Sequence, residues 1–200
     1  MCHFFDSFLQ NLQRCQEALA AYDHALTLDP NYIDAWIGKG NALLNLQRYQ
    51  EVLAAYDHAL TLNPNSVDAW ANKSNALNYL ERYQEALVAS DHVLTLDPDS
   101  VHAWNNKGNA LLNLARYQEA LAAYDHALTL DPNFAHAWYN KGSTLSALQQ
   151  YPEAIQSFQR YTTLAPSEAN GWEQLTVCYR NLNRDAEAHA ADAKAKSLQH

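Results

Sequence analysis

Apolar and polar residues alternate along this chain with the spacing of helices that hide one face. Between Ala35 and Leu46, Trp36, Gly40, Leu43 and Leu44 fall at helical intervals, which gives one apolar stripe. Tyr49 to Leu62 repeats the arrangement with Val52, Leu53, Tyr56, Ala59 and Leu60. The spacing therefore predicts two helices, A and B, separated by a break around Gln47 and Arg48. Pro64 lacks an amide donor and disfavours a helical Asn63, so helix B ends there. The residues after the repeated prolines are Asn31, Asn65, Asp99, Asn133 and Ser167, each able to accept a hydrogen bond from the free amides of the next helix; they are the expected N-caps. Asp34 and Asp68 lie three places further on, where the helix dipole favours negative charge.

The pattern has a period of 34 residues, carried by Pro30, Pro64, Pro98, Pro132 and Pro166 and by Trp36, Trp70, Trp104, Trp138 and Trp172. Tyr49, Tyr83, Tyr117 and Tyr151 keep the same step, with Cys15 in the earlier slot. Two helices of this length cannot enclose a core alone, so stability must come from stacking each pair on its neighbours. Small residues mark where backbones approach: Gly40, Ser74, Gly108 and Gly142 in helix A, and Ala18, Ala86, Ala120 and Ala154 in helix B. Ser90 and Tyr161 depart from the pattern by exchanging large and small side chains at expected contacts.

Trp-x3-Gly-x2-Leu in helix A, then Tyr-x2-Ala-x3-Tyr-x2-Ala in helix B, then proline, all on a period of 34, resemble the tetratricopeptide repeat family. The resemblance implies an all-α fold, a right-handed α-solenoid superhelix of antiparallel helix pairs in which helix A lines a concave groove. The 35-residue unit and basic groove of the pentatricopeptide RNA readers are not matched. Residues 33–66, 67–100, 101–134 and 135–168 are expected to form full repeats in a single array spanning 1–200. Residues 1–32 read as a degenerate N-terminal repeat, with Cys2 in the tryptophan slot and Asp6 in the glycine slot. Residues 169–200 read as a C-terminal cap, with Asp192 where a helix-B aromatic belongs and a polar outer face.

Charge narrows the range of partners. A formal net charge of −9 with no Lys/Arg run disfavours nucleic acid and anionic membrane surfaces, both of which are met by clustered cations. No stretch has the length of a membrane span or the build of a signal peptide. The three cysteines, Cys2, Cys15 and Cys178, stand at unrelated spacings that suit neither a disulfide framework nor a zinc site, so a reducing cytoplasmic setting is expected. Cys178 reads as a small core residue.

The pairs Asp23-His24, Asp57-His58, Asp91-His92 and Asp125-His126 invite a catalytic or metal reading. Adjacent helical side chains diverge by about 100°. Packed helices lie roughly 8–10 Å apart, whereas zinc needs donors at about 2 Å. The pairs are therefore expected on a solvated outer face of helix B, and no enzymatic activity, metal or cofactor is expected. Lys39, Lys73, Lys107 and Lys141 are expected to cover apolar surface with their stems and leave the ammonium in water.

Function is expected on helix A. Asn72, Asn106 and Asn140 lie two residues after their tryptophans, and Asn41, Asn75 and Asn109 lie five after theirs. A side-chain amide carries both donor and acceptor and so matches a peptide main chain. The first set resembles the asparagine ladder of the O-linked N-acetylglucosamine transferase superhelix. The pairs Asn41 with Asn72, Asn75 with Asn106, and Asn109 with Asn140 resemble the asparagines of the carboxylate clamp in heat-shock chaperone co-factors. The cationic half of that clamp is absent: its sites hold Ile37, Ala71, Asn105 and Tyr139, and Asp34, Asp68, His102 and His136. An acidic chaperone tail is therefore not expected, and only His102 and His136 offer charge, at low pH.

The expected function is binding of an extended peptide or partner helix through Asn41, Asn72, Asn75, Asn105, Asn106, Asn109, Asn140, His102 and His136. The alternatives are a scaffold that self-associates end to end, and the recognition arm of a larger enzyme. Full protonation of the nine histidines would cancel the net charge of −9, so light scattering is expected to rise as the pH falls through about 6; a flat titration contradicts this.

Overall fold

A computed structural model describes residues 2–199, with side chains described from residue 10 onward. Among these residues every regular element is an α-helix. The order is α1 (Cys2–Leu28), α2 (Ile33–Asn45), α3 (Tyr49–Leu62), α4 (Val67–Tyr79), α5 (Tyr83–Leu96), α6 (Val101–Asn113), α7 (Tyr117–Leu130), α8 (Ala135–Ala147), α9 (Tyr151–Leu164), α10 (Ala169–Asn181) and α11 (Asp185–Ser197). From α2 to α11 the helices alternate as the A and B members of pairs, as the period requires. The first segment differs: α1 runs unbroken through 27 residues. The side chains of Cys2 and Asp6 lie outside the described residues. No helix among the described residues is long and apolar enough to cross a membrane.

The chain forms two compact units, residues 1–98 and 99–200. In the first, α2 lies against both α3 and α4, and Leu43, Val52, Tyr56, Leu77 and Val93 are wholly enclosed. In the second, α6 lies against α7 and α8, and Leu111, Tyr124, Phe158, Leu175 and Cys178 fill the interior. Burial raises the Cys178 thiol pKa, which suits a core residue.

Within a pair, an aromatic ring of helix B lies directly on the glycine of helix A. A Cβ on Gly40 would stand 2.4 Å from the Tyr56 ring, one on Gly108 2.4 Å from Tyr124, and one on Gly142 2.8 Å from Phe158. The two departures in the sequence compensate locally. Ser90 replaces the aromatic and Ser74 the glycine, and their buried hydroxyls meet at 2.6 Å. Tyr161 is large where other repeats are small, and Gly171 opposite it has room for no Cβ, which would lie 2.5 Å from that ring.

Between pairs the chain turns on an Asx-proline element, and the caps fall one residue later than the expected Asn31, Asn65, Asp99, Asn133 and Ser167. The backbone N–H groups of Asn31, Asn65 and Asn133 donate to side-chain oxygens of Asp29, Asn63 and Asp131, because an Asp or Asn two places back offers a local turn. The caps are Tyr32, Ser66, Ser100, Phe134 and Glu168. Ser66 caps with its hydroxyl, which accepts from the Ala69 N–H. The proline carbonyls take the indole protons: Trp36 Nε1 donates to Pro30, Trp70 to Pro64 and Trp138 to Pro132, at 2.8–2.9 Å. Trp172 breaks the series, and its buried Nε1 has no acceptor among the described residues.

Each helix A ends in a left-handed residue: Gln47, Glu81, Ala115, Gln149 and Asn183, with φ between 56° and 60°. The amide of Arg48 returns to the Leu43 carbonyl and that of Gln47 to Leu44, the bonding of a Schellman turn. Only Asn183 belongs to a type that tolerates this backbone well. Ala115→Gly is expected to stabilise the protein by about 1 kcal/mol and to raise the thermal midpoint by about 2–4 °C. An unchanged or lower melting curve contradicts the assignment.

Candidate functional site

The Asp-His pairs lie on the exposed or partly exposed side of helix B, and their two side chains contact different neighbours. His58, His92 and His126 stack on Trp36, Trp70 and Trp104 of their own repeats, with ring centroids 4.1–4.4 Å apart. Asp23, Asp57 and Asp125 reach the other way, to Lys39, Lys73 and Lys141 of the following repeat. Those ammonium groups also lie 5.2–5.6 Å from the centroids of Trp36, Trp70 and Trp138. The lysine heads are thus paired rather than left in water. Each ammonium meets a carboxylate from the preceding repeat and the ring face of the tryptophan three residues back on its own helix. Each exposed ion pair contributes at most about 1 kcal/mol.

At the outer corners Arg48, Arg82 and Arg116 fork onto Glu51, Glu85 and Glu119. These bonds hold the glutamate carboxyls below their usual range.

The helix-A asparagines fall into two groups. In the second unit, the Tyr124 hydroxyl donates to Asn109 Oδ1 at 2.8 Å. Asn140 Nδ2 donates both to that same oxygen at 2.8 Å and to Asn105 Oδ1 at 3.0 Å. Asn105 is buried. Burial raises the Tyr124 phenol pKa above its ordinary value, so the proton stays in place to make its bond. In the first unit, Asn41 is exposed on α2, and its Oδ1 accepts from the Tyr56 hydroxyl at 2.7 Å. The structure therefore brings Asn105, Asn109 and Asn140 together through their own hydrogen bonds.

Asn72 and Asn75 are different. Both are partly buried on α4, one turn apart. Asn75 occupies the slot of Asn41 and Asn109, but the residue fifteen places on is Ser90, whose hydroxyl is engaged with Ser74. No tyrosine reaches Asn75. In the fourth full repeat both members change, to Ser143 and Phe158, and Ser143 bonds its own helix at the Tyr139 carbonyl. Asn106 is partly buried on α6. His102 and His136 are exposed and meet at Phe134, with ring centroids 5.1 and 5.7 Å away.

Sequence reasoning missed the tyrosine partners, although the fifteen-residue spacing of Asn41 to Tyr56 and Asn109 to Tyr124 marks them. It also missed Tyr139, which packs on Phe158 and Tyr161 with centroids 5.8 and 5.1 Å apart. Asn140→Ala is expected to lower stability by about 1–2 kcal/mol, and Asn72→Ala by less than about 0.5 kcal/mol. Equal effects in urea unfolding contradict the division into committed and uncommitted amides.

Comparison with known proteins follows this geometry. Family profiles described as tetratricopeptide repeat match residues 33–66, 55–88, 72–133 and 105–169. No curated protein sequence matches the chain. Among solved structures, the chain is similar to PilW, a widely conserved type IV pilus biogenesis factor, with TM-score 0.86 at 21% identity over 98% of this chain and 90% of that one. It is similar to YrrB, a TPR protein with an unusual peptide-binding site, with TM-score 0.66 at 24% identity over 91% and 94% of the two chains. It is also similar to MamA from Desulfovibrio magneticus RS-1, with TM-score 0.73 at 23% identity over 84% and 94%. At these identities the likeness is one of fold. With the 34-residue period, the glycine-aromatic crossings and the profile matches running from residue 33 to 169, the chain belongs to the tetratricopeptide repeat family.

Proposed function

We propose that this protein is a non-enzymatic interaction module that holds an extended segment of a partner protein along its helix-A face, with Asn72 and Asn75 as the principal contacts. Repeats of this family serve in general as protein-interaction modules, and the structurally similar YrrB has a peptide-binding site. The observation that carries the reading is Asn75. Where the tyrosine partner is kept, at Tyr56 and Tyr124, the asparagine is accounted for by the fold. At Ser90 the tyrosine is gone and the asparagine stays. Its amide, with that of Asn72 one turn away, supplies four N–H donors and two carbonyl acceptors on one helix face. An extended main chain offers one of each per residue, and its alternate side chains point away from that line.

The asparagines of the second unit play a supporting part. Asn140 spends both its amide protons within the network, so Asn105, Asn109 and Asn140 keep helix spacing within the second unit. The net charge of −9 favours a partner segment without acidic clusters.

Peptides selected from a random-sequence display library on the immobilised protein provide the probe. Titration calorimetry of a synthetic selected peptide is expected to show at least a tenfold loss of affinity, about 1.4 kcal/mol, in the Asn72→Ala/Asn75→Ala variant. Retention of full affinity overturns the assignment.

A further inference from the structure

Asn170-Gly171 is the only Asn-Gly junction in the chain, and Asp-Gly does not occur. In such a junction the amide nitrogen of the second residue can reach the side-chain carbonyl carbon of the first, and glycine puts no side chain in its way. The cyclic imide that results is the route by which asparagine loses ammonia. Whether a junction reacts depends on where the fold holds the attacking nitrogen, the carbon and its oxygen.

Here one tyrosine sets the arrangement. Packing requires glycine at 171, because a Cβ there would stand 2.5 Å from the Tyr161 ring. The hydroxyl of the same ring donates to Asn170 Oδ1 at 2.9 Å. The Gly171 N–H donates to that oxygen at 2.8 Å, so the side chain is folded over the peptide nitrogen that attacks it. Both bonds fall on the oxygen and neither on Nδ2, the leaving group. Burial raises the Tyr161 phenol pKa above its ordinary value, and the hydroxyl keeps the proton it donates. The full repeats have Asp34, Asp68, His102 and His136 in the slot of Asn170, and Ala59, Val93 and Ala127 in that of Tyr161.

Ring closure also needs the peptide plane between the two residues to turn out of its helical setting. The linkers before α2, α4 and α8 are held by an Asx turn and by an indole bond to the proline carbonyl. The linker before α10 has Ala165 in the Asx place, and the Trp172 indole has no acceptor among the described residues. N–H groups in a first helical turn have no partner one turn back, so this turn opens without breaking a ladder bond of its own amides.

We propose that Asn170 is a site of intramolecular deamidation, positioned and activated by the Tyr161 hydroxyl. The Gly171 nitrogen yields its proton to water or hydroxide and bonds to Cγ of Asn170. Negative charge gathers on Oδ1, where the Tyr161 hydroxyl already donates, as in an oxyanion hole. The Cγ–Nδ2 bond breaks, Nδ2 takes up a proton and leaves as ammonia, and water opens the imide to aspartate or isoaspartate. The sum is asparagine plus water giving the acid plus ammonia, with no redox change. The aspartyl product gives α10 the first-turn carboxylate that α2 and α4 have in Asp34 and Asp68, where the helix dipole favours it. The isoaspartyl product inserts an extra carbon into the main chain and breaks that turn.

The test is incubation of the whole protein, its Tyr161→Phe variant and a synthetic peptide of residues 166–176 in mildly alkaline heavy-oxygen water, which marks molecules modified during the experiment. Peptide mapping by mass spectrometry follows the label, and methyltransferase labelling detects isoaspartate. Asn170 is expected to take up label in the protein at least as fast as in the peptide, with both products present. Phenylalanine keeps the ring over Gly171 and removes the donor, so its rate is expected to fall about tenfold, or about 1.4 kcal/mol in the barrier. The peptide comparison needs no variant and stands if that protein fails to fold. An intact Asn170, a rate below that of the peptide, or a folded Tyr161→Phe variant as fast as the parent overturns the proposal.

Discussion

Three helix pairs, α2 with α3, α6 with α7 and α8 with α9, close on a contact in which one side must have almost no volume. At three crossings glycine lies beneath an aromatic ring closely enough that a methyl group would overlap it. This contact sets the distance between helices A and B, and that distance decides which other side chains can touch. The hydroxyl of Tyr56 or Tyr124 arrives beside the asparagine one position beyond the glycine because the ring is pinned there. Ser74 with Ser90 closes the same crossing through a hydrogen bond between two buried hydroxyls, and Gly171 with Tyr161 closes a contact between α10 and α9 with a ring over a glycine.

Around that crossing lies a second layer of weaker, more exposed contacts. The tryptophan indole is tied to the preceding proline carbonyl, faced by a histidine from its own repeat and approached by a lysine that an aspartate from the preceding repeat holds. Each contact is worth little in water. Repeated along a unit, they orient successive pairs by using polar atoms that would otherwise need solvent. The Asp-His dipeptide recurs because its two side chains diverge and can serve two different neighbours.

The architecture was legible because it rests on periodic quantities. The 34-residue step, the apolar stripes and the stop at each proline are properties of residue type and spacing, and helix B from Tyr49 to Leu62 follows from them residue for residue. What could not be read depends on geometry in space. The caps shifted by one place because Asp29, Asn63 and Asp131 compete for the amides through local turns. The left-handed turns carry Gln, Glu and Ala, so no glycine announces them. The asparagines looked equivalent in the sequence. Their division arises from whether a hydroxyl fifteen residues away points at them, and Ser90 was visible only as an irregularity.

Trp172 closes the series differently from its counterparts, with a buried indole proton that no atom among the described residues accepts. A buried donor left in this state costs about 1–3 kcal/mol, and it sits in the pair whose second helix, α11, buries only alanines. In an array where each module leans on the next, such a pair is the one that loosens first under stress. Within the second unit, opening is therefore expected to start at α10 and α11 before it reaches α6 to α9.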